Sequence, residues 1–214
     1  MRISVVIPTY REEGRIGRVV EGVRRVLPGA EVLVVDGGSE DRTAEEARSA
    51  GARVVRVGRG KGLAVRVGAE RARGEVLLFL DGDGSYPPSV LPHLLSPLLS
   101  GEADMVKGSR FLGSSLFSPP RKLGNRLFSL LASLLYSPTS DLLTGMFAVR
   151  REDLLALGLR REGFEVETEL FVRAVRRGMR VREVPVPYRE ERGSKLSPLR
   201  DGARILFTLL KGEG

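Results

Sequence analysis

The first hundred residues alternate short apolar runs with segments whose apolar side chains recur at helical spacing. Ile3 to Ile7 reads as a buried strand, and Pro8, which cannot donate to a sheet ladder, ends it. Ile16, Val19, Val20, Val23, Val26 and Leu27 then repeat at helical intervals until Pro28-Gly29 closes the helix. The alternation continues with a strand from Glu31 to Val35, a helix from Thr43 to Ala50, a strand from Arg53 to Val57, a helix from Gly62 to Ala72 and a strand from Glu75 to Leu80. Strand and helix in strict turn predict an α/β fold with a mainly parallel sheet and right-handed crossovers.

Beyond residue 90 the pattern loosens. Leu91, Leu94, Leu95, Leu98 and Leu99 share a helix face, and Ala103 to Gly108 is a further strand. Arg110 to Pro120 is a loop rich in Ser, Gly and Pro. A helix from about Arg121 to Tyr136 precedes a short strand near Met146 to Val149. Thr168 to Arg177 is helical, Arg180 to Val186 is a strand, and Pro198 to Leu210 is a final amphipathic helix. No repeat and no linker interrupts the chain, so residues 1–214 are expected to form one domain.

Composition narrows the chemistry. The chain has no cysteine and one histidine, His93, within a leucine-rich helix where a surface place is expected. Thiolate sites are excluded, and a His-based triad or zinc site would rest on that residue alone. Residues 1–100 hold 15 basic and 13 acidic side chains against 20 and 14 in residues 101–214, so most of the net charge of +8 lies in the second half. An anionic partner is expected there. Nucleic acid is disfavoured, because neither a helix-turn-helix nor an aromatic sheet signature occurs. The charge-free stretch Leu127 to Ser140 contains Pro138 and falls short of the ~20 residues a spanning helix needs. It reads more readily as core than as a lipid-facing segment. The N-terminus enters a strand directly, so no leader is expected and the expected location is cytoplasmic, with peripheral contact at the inner face of the membrane as the furthest approach to lipid.

Candidate chemistry gathers at the strand ends. In EVLLFLDGDGSYPP an apolar run stops at Asp81 and Asp83, and Gly82, Gly84, Pro87 and Pro88 forbid its continuation. A buried parallel strand thus delivers two carboxylates to the edge where open α/β sheets bind ligands. Oxygen donors on such a turn suit a hard divalent cation that also holds substrate phosphates. Other strands end in Pro8-Thr9-Tyr10-Arg11-Glu12, in Asp36-Gly37-Gly38-Ser39-Glu40-Asp41 and in Gly58-Arg59-Gly60-Lys61-Gly62. Asp36 can accept from a base N–H or a ribose hydroxyl, and Lys61, between glycines, can approach a diphosphate. Ser39 and Asp41 are expected as helix caps.

The blocks VVIPTYREE, VLVVDGGSEDRT, RGKGLAVRVGAERARGEVLLFLDGD, GSRF, DLLTGMFAVRRE and VPVPYREERGSK, spread over residues 3 to 196, resemble the family-2 inverting glycosyltransferases of GT-A fold. The branch they most resemble is the dolichol-phosphate mannose or glucose synthases. The resemblance implies a single Rossmann-like domain whose residues 1–100 bind a nucleotide-diphosphate sugar and whose residues 101–214 bind the acceptor. Pro8, Tyr10 and Glu12 match the segment packed on the nucleoside, Asp36 the reader of base or ribose, and Lys61 a position near the nucleotide. Asp81 and Asp83 match the pair that holds Mg²⁺ or Mn²⁺ on the diphosphate. Arg110, Arg121 and Lys122 match basic positions near the phosphates, Arg192, Ser194 and Lys195 a block that closes over the site, and Glu169 an acidic position opposite the metal, with Glu167 its neighbour. The chain departs from many relatives at Gly37, where a second carboxylate is common, and at Ser85, a metal-side position often held by Gln. Its spacing from Arg192 to Ser194-Lys195 is tighter than in some relatives.

The implied acceptor is a polyprenyl or dolichyl monophosphate, already an anion near neutral pH because its second pKa is ~6. Such a nucleophile needs cations to hold it, whereas a sugar hydroxyl needs a general base. Arg110, Arg121, Lys122, Arg192 and Lys195 supply the first, while Asp141, Glu167 and Glu169 are the candidates for the second. Transfer to a hydroxyl of a glycolipid, polysaccharide or small polar alcohol is therefore the alternative. A nucleotidyltransferase is more remote, because the loop after the first strand reads PTYREE and lacks the expected Gly-rich run ending in Arg.

Overall fold

The computed structural model describes residues 1–116, 118–190 and 197–212. The strands are β1 (Ile3–Thr9), β2 (Glu31–Asp36), β3 (Arg53–Arg56), β4 (Val76–Phe79), β5 (Met105–Ser109), β6 (Ser115–Leu116), β7 (Phe147–Arg150), β8 (Val181–Pro185) and β9 (Tyr188–Arg189). The helices are α1 (Ile16–Val26), α2 (Thr43–Ser49), α3 (Lys61–Arg71), α4 (Leu91–Leu99), α5 (Pro119–Leu135), α6 (Arg151–Leu157), α7 (Val166–Arg176) and α8 (Pro198–Lys211). A 3₁₀ turn at Pro88–Val90 leads into α4.

Seven strands form one sheet in the order β3-β2-β1-β4-β7-β5-β8. All run parallel except β7, which is antiparallel to both neighbours, with Phe79 opposite Phe147 and Met105 opposite Val149. The alternation of side chains along each strand sorts the core into two layers. Val5, Ile7, Val32, Val34, Val76 and Leu78 face α1 and α4, while Val6, Leu33, Val35, Leu77 and Phe79 face α3, α6 and α7. A smaller cluster outside the sheet (Ala132, Leu142, Phe171, Val172, Ile205, Leu209) joins α5, α7 and α8. The mainly parallel α/β sheet flanked by helices is therefore as the sequence pattern predicts.

Several local readings change. Arg110 to Pro120 contains β6, which pairs in parallel with β9, and neither two-residue strand carries a recognisable period. Helix α6 was not expected, since Leu154 and Leu157 alone mark its buried face. The expected core segment from Leu127 buries Ser129 and Ala132 but leaves Leu127, Leu130, Leu134 and Leu135 exposed. Ser39 is not a cap: its hydroxyl and N–H both donate to Asp36 Oδ1. Asp41 does serve the helix start, accepting from Thr43 N at 3.1 Å. His93 is exposed on α4, as expected.

Candidate active site at the carboxyl edge of the sheet

The parallel strands bring their carboxyl ends to one edge, and the reversed β7 brings its amino end to the same edge. Asp81 and Asp83 follow β4 there, and Thr144-Gly145-Met146 arrives beside them from the approach to β7. A Cβ at Gly145 would collide with the Asp81 carboxylate and lie 2.7 Å from Lys61 Nζ. A side chain there would have to push these two charged groups away from the backbone.

Lys61, at the start of α3, lies 2.8 Å from Asp81 Oδ1 and 2.6 Å from Glu167 Oε1. Burial alone would lower its pKa, but the two carboxylates overcome that and hold the ammonium charged. The glycines beside Lys61 have a packing role of their own. A Cβ at 62 would strike Arg161 O and one at 60 would come within 2.6 Å of Glu162 O, while Gly62 N donates to Glu162 O at 2.8 Å. They let the chain at 161–162 lie directly on the start of α3, next to α7, which carries Glu167.

Asp83 Oδ1 accepts from Ser85 N at 2.9 Å and from Ser85 Oγ at 2.6 Å. Its pKa is pushed up by burial, then by the nearby charge of Asp81 and, more weakly, of Glu12. Glu12 is buried, accepts from Arg15 at 2.9 Å and is anchored by its N–H on Thr43 Oγ1 at 2.8 Å. The intervening Arg11 adopts φ 54°, the single positive φ among the described non-glycine residues, and donates its N–H to Ser39 Oγ at 2.8 Å. Such a conformation costs about 1–3 kcal/mol and persists where surrounding contacts enforce it. Pro8 pairs with Val35 on β2, and the Tyr10 ring carries the Arg59 and Arg11 guanidinium groups at 5.0 and 5.3 Å. Asp36 is fully buried, with Arg56 Nε 3.3 Å from Oδ2, an oxygen that accepts no hydrogen bond within the chain.

Arg110, after β5, is clamped to Asp141: Nε reaches Oδ2 and Nη2 reaches Oδ1, both at 2.7 Å, and Arg110 N reaches Oδ2 at 2.9 Å. Asn125 Nδ2 from α5 adds a bond of 2.7 Å to Oδ1. Burial would raise the Asp141 pKa, but Arg110 and these hydrogen bonds bring it below the usual carboxylate value. Behind this pair, buried Lys107 donates to Thr139 Oγ1 at 3.0 Å, and Glu183 accepts from Ser140 N at 2.8 Å. Arg121 pairs with Glu190, and Lys122 is exposed.

Glu169 is fully buried and accepts from Arg160 N, Arg161 N and Arg173 Nε at 2.8–2.9 Å. It ties down the 160–161 backbone, whereas Glu167 reaches Asp81 through Lys61. Residues two apart on a helix do not share a face, so sequence alone does not choose between them. Gly145 and Arg59 were also not singled out, although both lie in the blocks quoted above. Arg192, Ser194 and Lys195 lie outside the described residues. Among the described residues no cluster of three or more His, Cys, Asp or Glu is arranged to hold a metal.

Comparison with known proteins fits this geometry. Residues 4–158 match the family described as glycosyl transferase family 2. A dolichyl-phosphate hexose transferase of Haloferax volcanii is 39% identical over 98% of this chain and 92% of its own length. A dolichol-phosphate mannosyltransferase of Pyrococcus furiosus is 31% identical over 100% of this chain and 65% of its own. Among solved structures, glucosyl-3-phosphoglycerate synthase of Mycobacterium tuberculosis, in complex with Mn²⁺, UDP-glucose and phosphoglyceric acid, aligns with a TM-score of 0.82 at 29% identity, covering 99% of this chain and 79% of that one. A carboxylate turn closing β4 on a seven-stranded α/β sheet, read together with the family match over most of the chain, places this protein in glycosyltransferase family 2, as a glycosyltransferase of GT-A fold.

Proposed function

We propose that the protein moves a hexose from a nucleotide-diphosphate sugar, of the GDP-mannose or UDP-glucose type, to a polyprenyl or dolichyl monophosphate with inversion at the anomeric carbon. In this reading residues 1–100 bind the donor and residues 101–214 the acceptor. The observation that carries the acceptor is the state of the candidate bases. Asp141 is saturated by Arg110 and Asn125, Glu169 by two backbone N–H groups and Arg173, and Glu167 is held by Lys61. A hydroxyl nucleophile needs a proton acceptor in the transition state, whereas a phosphate monoester attacks as the anion it already is. Similarity to the Haloferax volcanii dolichyl-phosphate hexose transferase supports the same acceptor class.

Asp83 and Asp81, with Ser85 adjoining, would hold Mg²⁺ or Mn²⁺. The fit rests on the donor set: two hard carboxylates and the Ser85 hydroxyl follow β4 on one turn, and the Asp83 pKa is raised by burial and then by the charge of Asp81, which a cation would offset. Two carboxylates short of a full cage suit an ion whose remaining ligands are diphosphate oxygens and water. When bound, the ion supplies electrostatic stabilisation to charge gathering on the departing nucleotide diphosphate. Lys61 adds a fixed positive charge beside the same turn. Asp36 Oδ2, ion-paired with Arg56 but accepting no hydrogen bond, offers an acceptor to the nucleoside, and Tyr10, stacked under Arg59, offers an aromatic face.

Transfer to a hydroxyl is the second reading, favoured by the structural likeness to the phosphoglycerate-bound synthase. The deciding experiment supplies GDP-mannose or UDP-glucose with Mn²⁺ and, in parallel, a short polyprenyl phosphate or 3-phosphoglycerate, with products identified by mass spectrometry. Hexosyl polyprenyl phosphate is expected. Hexosyl phosphoglycerate without the lipid product would overturn the proposal.

A further inference from the structure

Both carboxylates of the turn after β4 are engaged within the chain. Asp83 Oδ1 is held by the Ser85 hydroxyl and N–H, and Asp81 Oδ1 lies 2.8 Å from Lys61 Nζ. Both Asp81 oxygens also rest against Gly145, within 2.7 Å of the place a Cβ would take there. The Asp81 carboxylate is thus packed between an ammonium group and backbone.

Lys61 is fixed from two directions. Gly60 and Gly62 seat the start of α3 on the 161–162 backbone, where Gly62 N donates to Glu162 O. At the other end of the side chain, Glu167 on α7 holds the ammonium at 2.6 Å, and the Phe164 ring lies 5.8 Å from it. The Lys61 side chain is 15% exposed and that of Glu167 is 7% exposed, so water screens this pair poorly. A positive charge in this position repels a divalent cation that approaches Asp81 and attracts a diphosphate. The same ammonium therefore opposes the metal alone and favours the metal accompanied by phosphate oxygens, which links the two ligands thermodynamically.

We infer that Lys61, positioned by Glu167, withholds Asp81 from a bare divalent cation, so that the turn takes Mg²⁺ or Mn²⁺ together with the diphosphate rather than ahead of it. The inference deepens the proposed function and rests on it for the metal and the diphosphate, whereas the restraint on Asp81 is read from the side chains. Glu167 is a positioning residue here, acting through Lys61.

The test is Mn²⁺ binding to the full chain, followed by loss of the electron paramagnetic resonance signal of the free ion, first with no nucleotide and then with UDP or GDP. Asp83→Asn measures Mn²⁺ bound elsewhere, which is subtracted. Lys61→Met is expected to bind the bare ion about tenfold more tightly than wild type, yet to bind it more weakly than wild type once nucleotide is present. Damage to the fold would weaken both states and cannot produce that crossing. Because Lys61→Met strands Glu167, Lys61→Met/Glu167→Gln is measured beside it, and decides the matter if the single variant unfolds. The double variant removes one positive and one negative charge, so tighter bare-ion binding in it reports the release of Asp81 rather than a change in net charge. Bare-ion binding in the double variant that is no tighter than in wild type overturns the inference. Wild type that binds neither UDP nor GDP in the presence of Mn²⁺ overturns the donor assignment itself, so the two failures are told apart.

Discussion

Arg110 and Asp141 face each other as a buried fork, with both carboxylate oxygens engaged and Asn125 completing the pair. Removing one member of a buried ion pair strands the other, at a cost of about 3–5 kcal/mol. Asp141→Ala should therefore lower the urea midpoint by roughly 1–2.5 M, given an m-value of ~2–3 kcal/mol/M. Lost transfer with an unmoved midpoint would instead make Asp141 a proton acceptor and favour a hydroxyl substrate.

Asp83 should trade stability for activity. Its folded pKa is raised above the unfolded value, so its contribution to stability is fully present below the unfolded pKa and is lost as pH rises through the folded one. At neutral pH the ionised side chain destabilises the fold. Asp83→Asn is expected to abolish metal-dependent transfer while raising Tm, by about 2–4 °C for each kcal/mol relieved. Calorimetry at pH 7 and at pH 3, where the gain should shrink, checks the sign.

Two glycine substitutions give opposite results if the packing at Gly145 matters. Gly145→Ala drives a methyl into the Asp81–Lys61 pair and should reduce kcat/KM by about tenfold or more, equivalent to ~1.4 kcal/mol or more of transition-state stabilisation. Gly124→Ala on α5 meets nothing within 4 Å and should stabilise the helix by about 0.5–1 kcal/mol. Equal activity in the two variants would separate Gly145 from the site.

Asp104 provides a pH marker at the far end of the sheet. Hydrogen bonds from Arg180, side chain and backbone, bring its pKa down to about 2. The depressed value means that its stabilisation is present above the unfolded pKa and fades as pH falls from about 4 towards 2. The pair is well exposed, so solvent screening limits Asp104→Asn to roughly 0.2–1 kcal/mol at pH 7. The difference from wild type should vanish near pH 2; a difference that persists there would assign it to packing.

The carboxylate turn was legible because an apolar strand ends in residues that forbid its continuation, and the same logic located Asp36 and Lys61. Direction was not legible for β7, since a four-residue apolar run reads alike in either sense. Neither was the neighbourhood of Gly145, whose meaning depends on that direction. Apolar periodicity on α5 announced a helix with a leucine face but not which face the protein covers, and a core reading followed by default. Glu167 and Glu169 differ only in which side of α7 they occupy, a matter decided by where the 160–162 backbone lies.

The reversed β7 also sets an order of assembly. Asp81 meets its backbone neighbour only after some sixty further residues have been laid down and a strand has doubled back into the gap between β4 and β5. Until then β4 presents a bare apolar edge, ready to pair with another chain. A nascent polypeptide halted before residue 147 would be sticky rather than partly competent, so the carboxylate turn should reach its final surroundings late in synthesis, after β5 has formed.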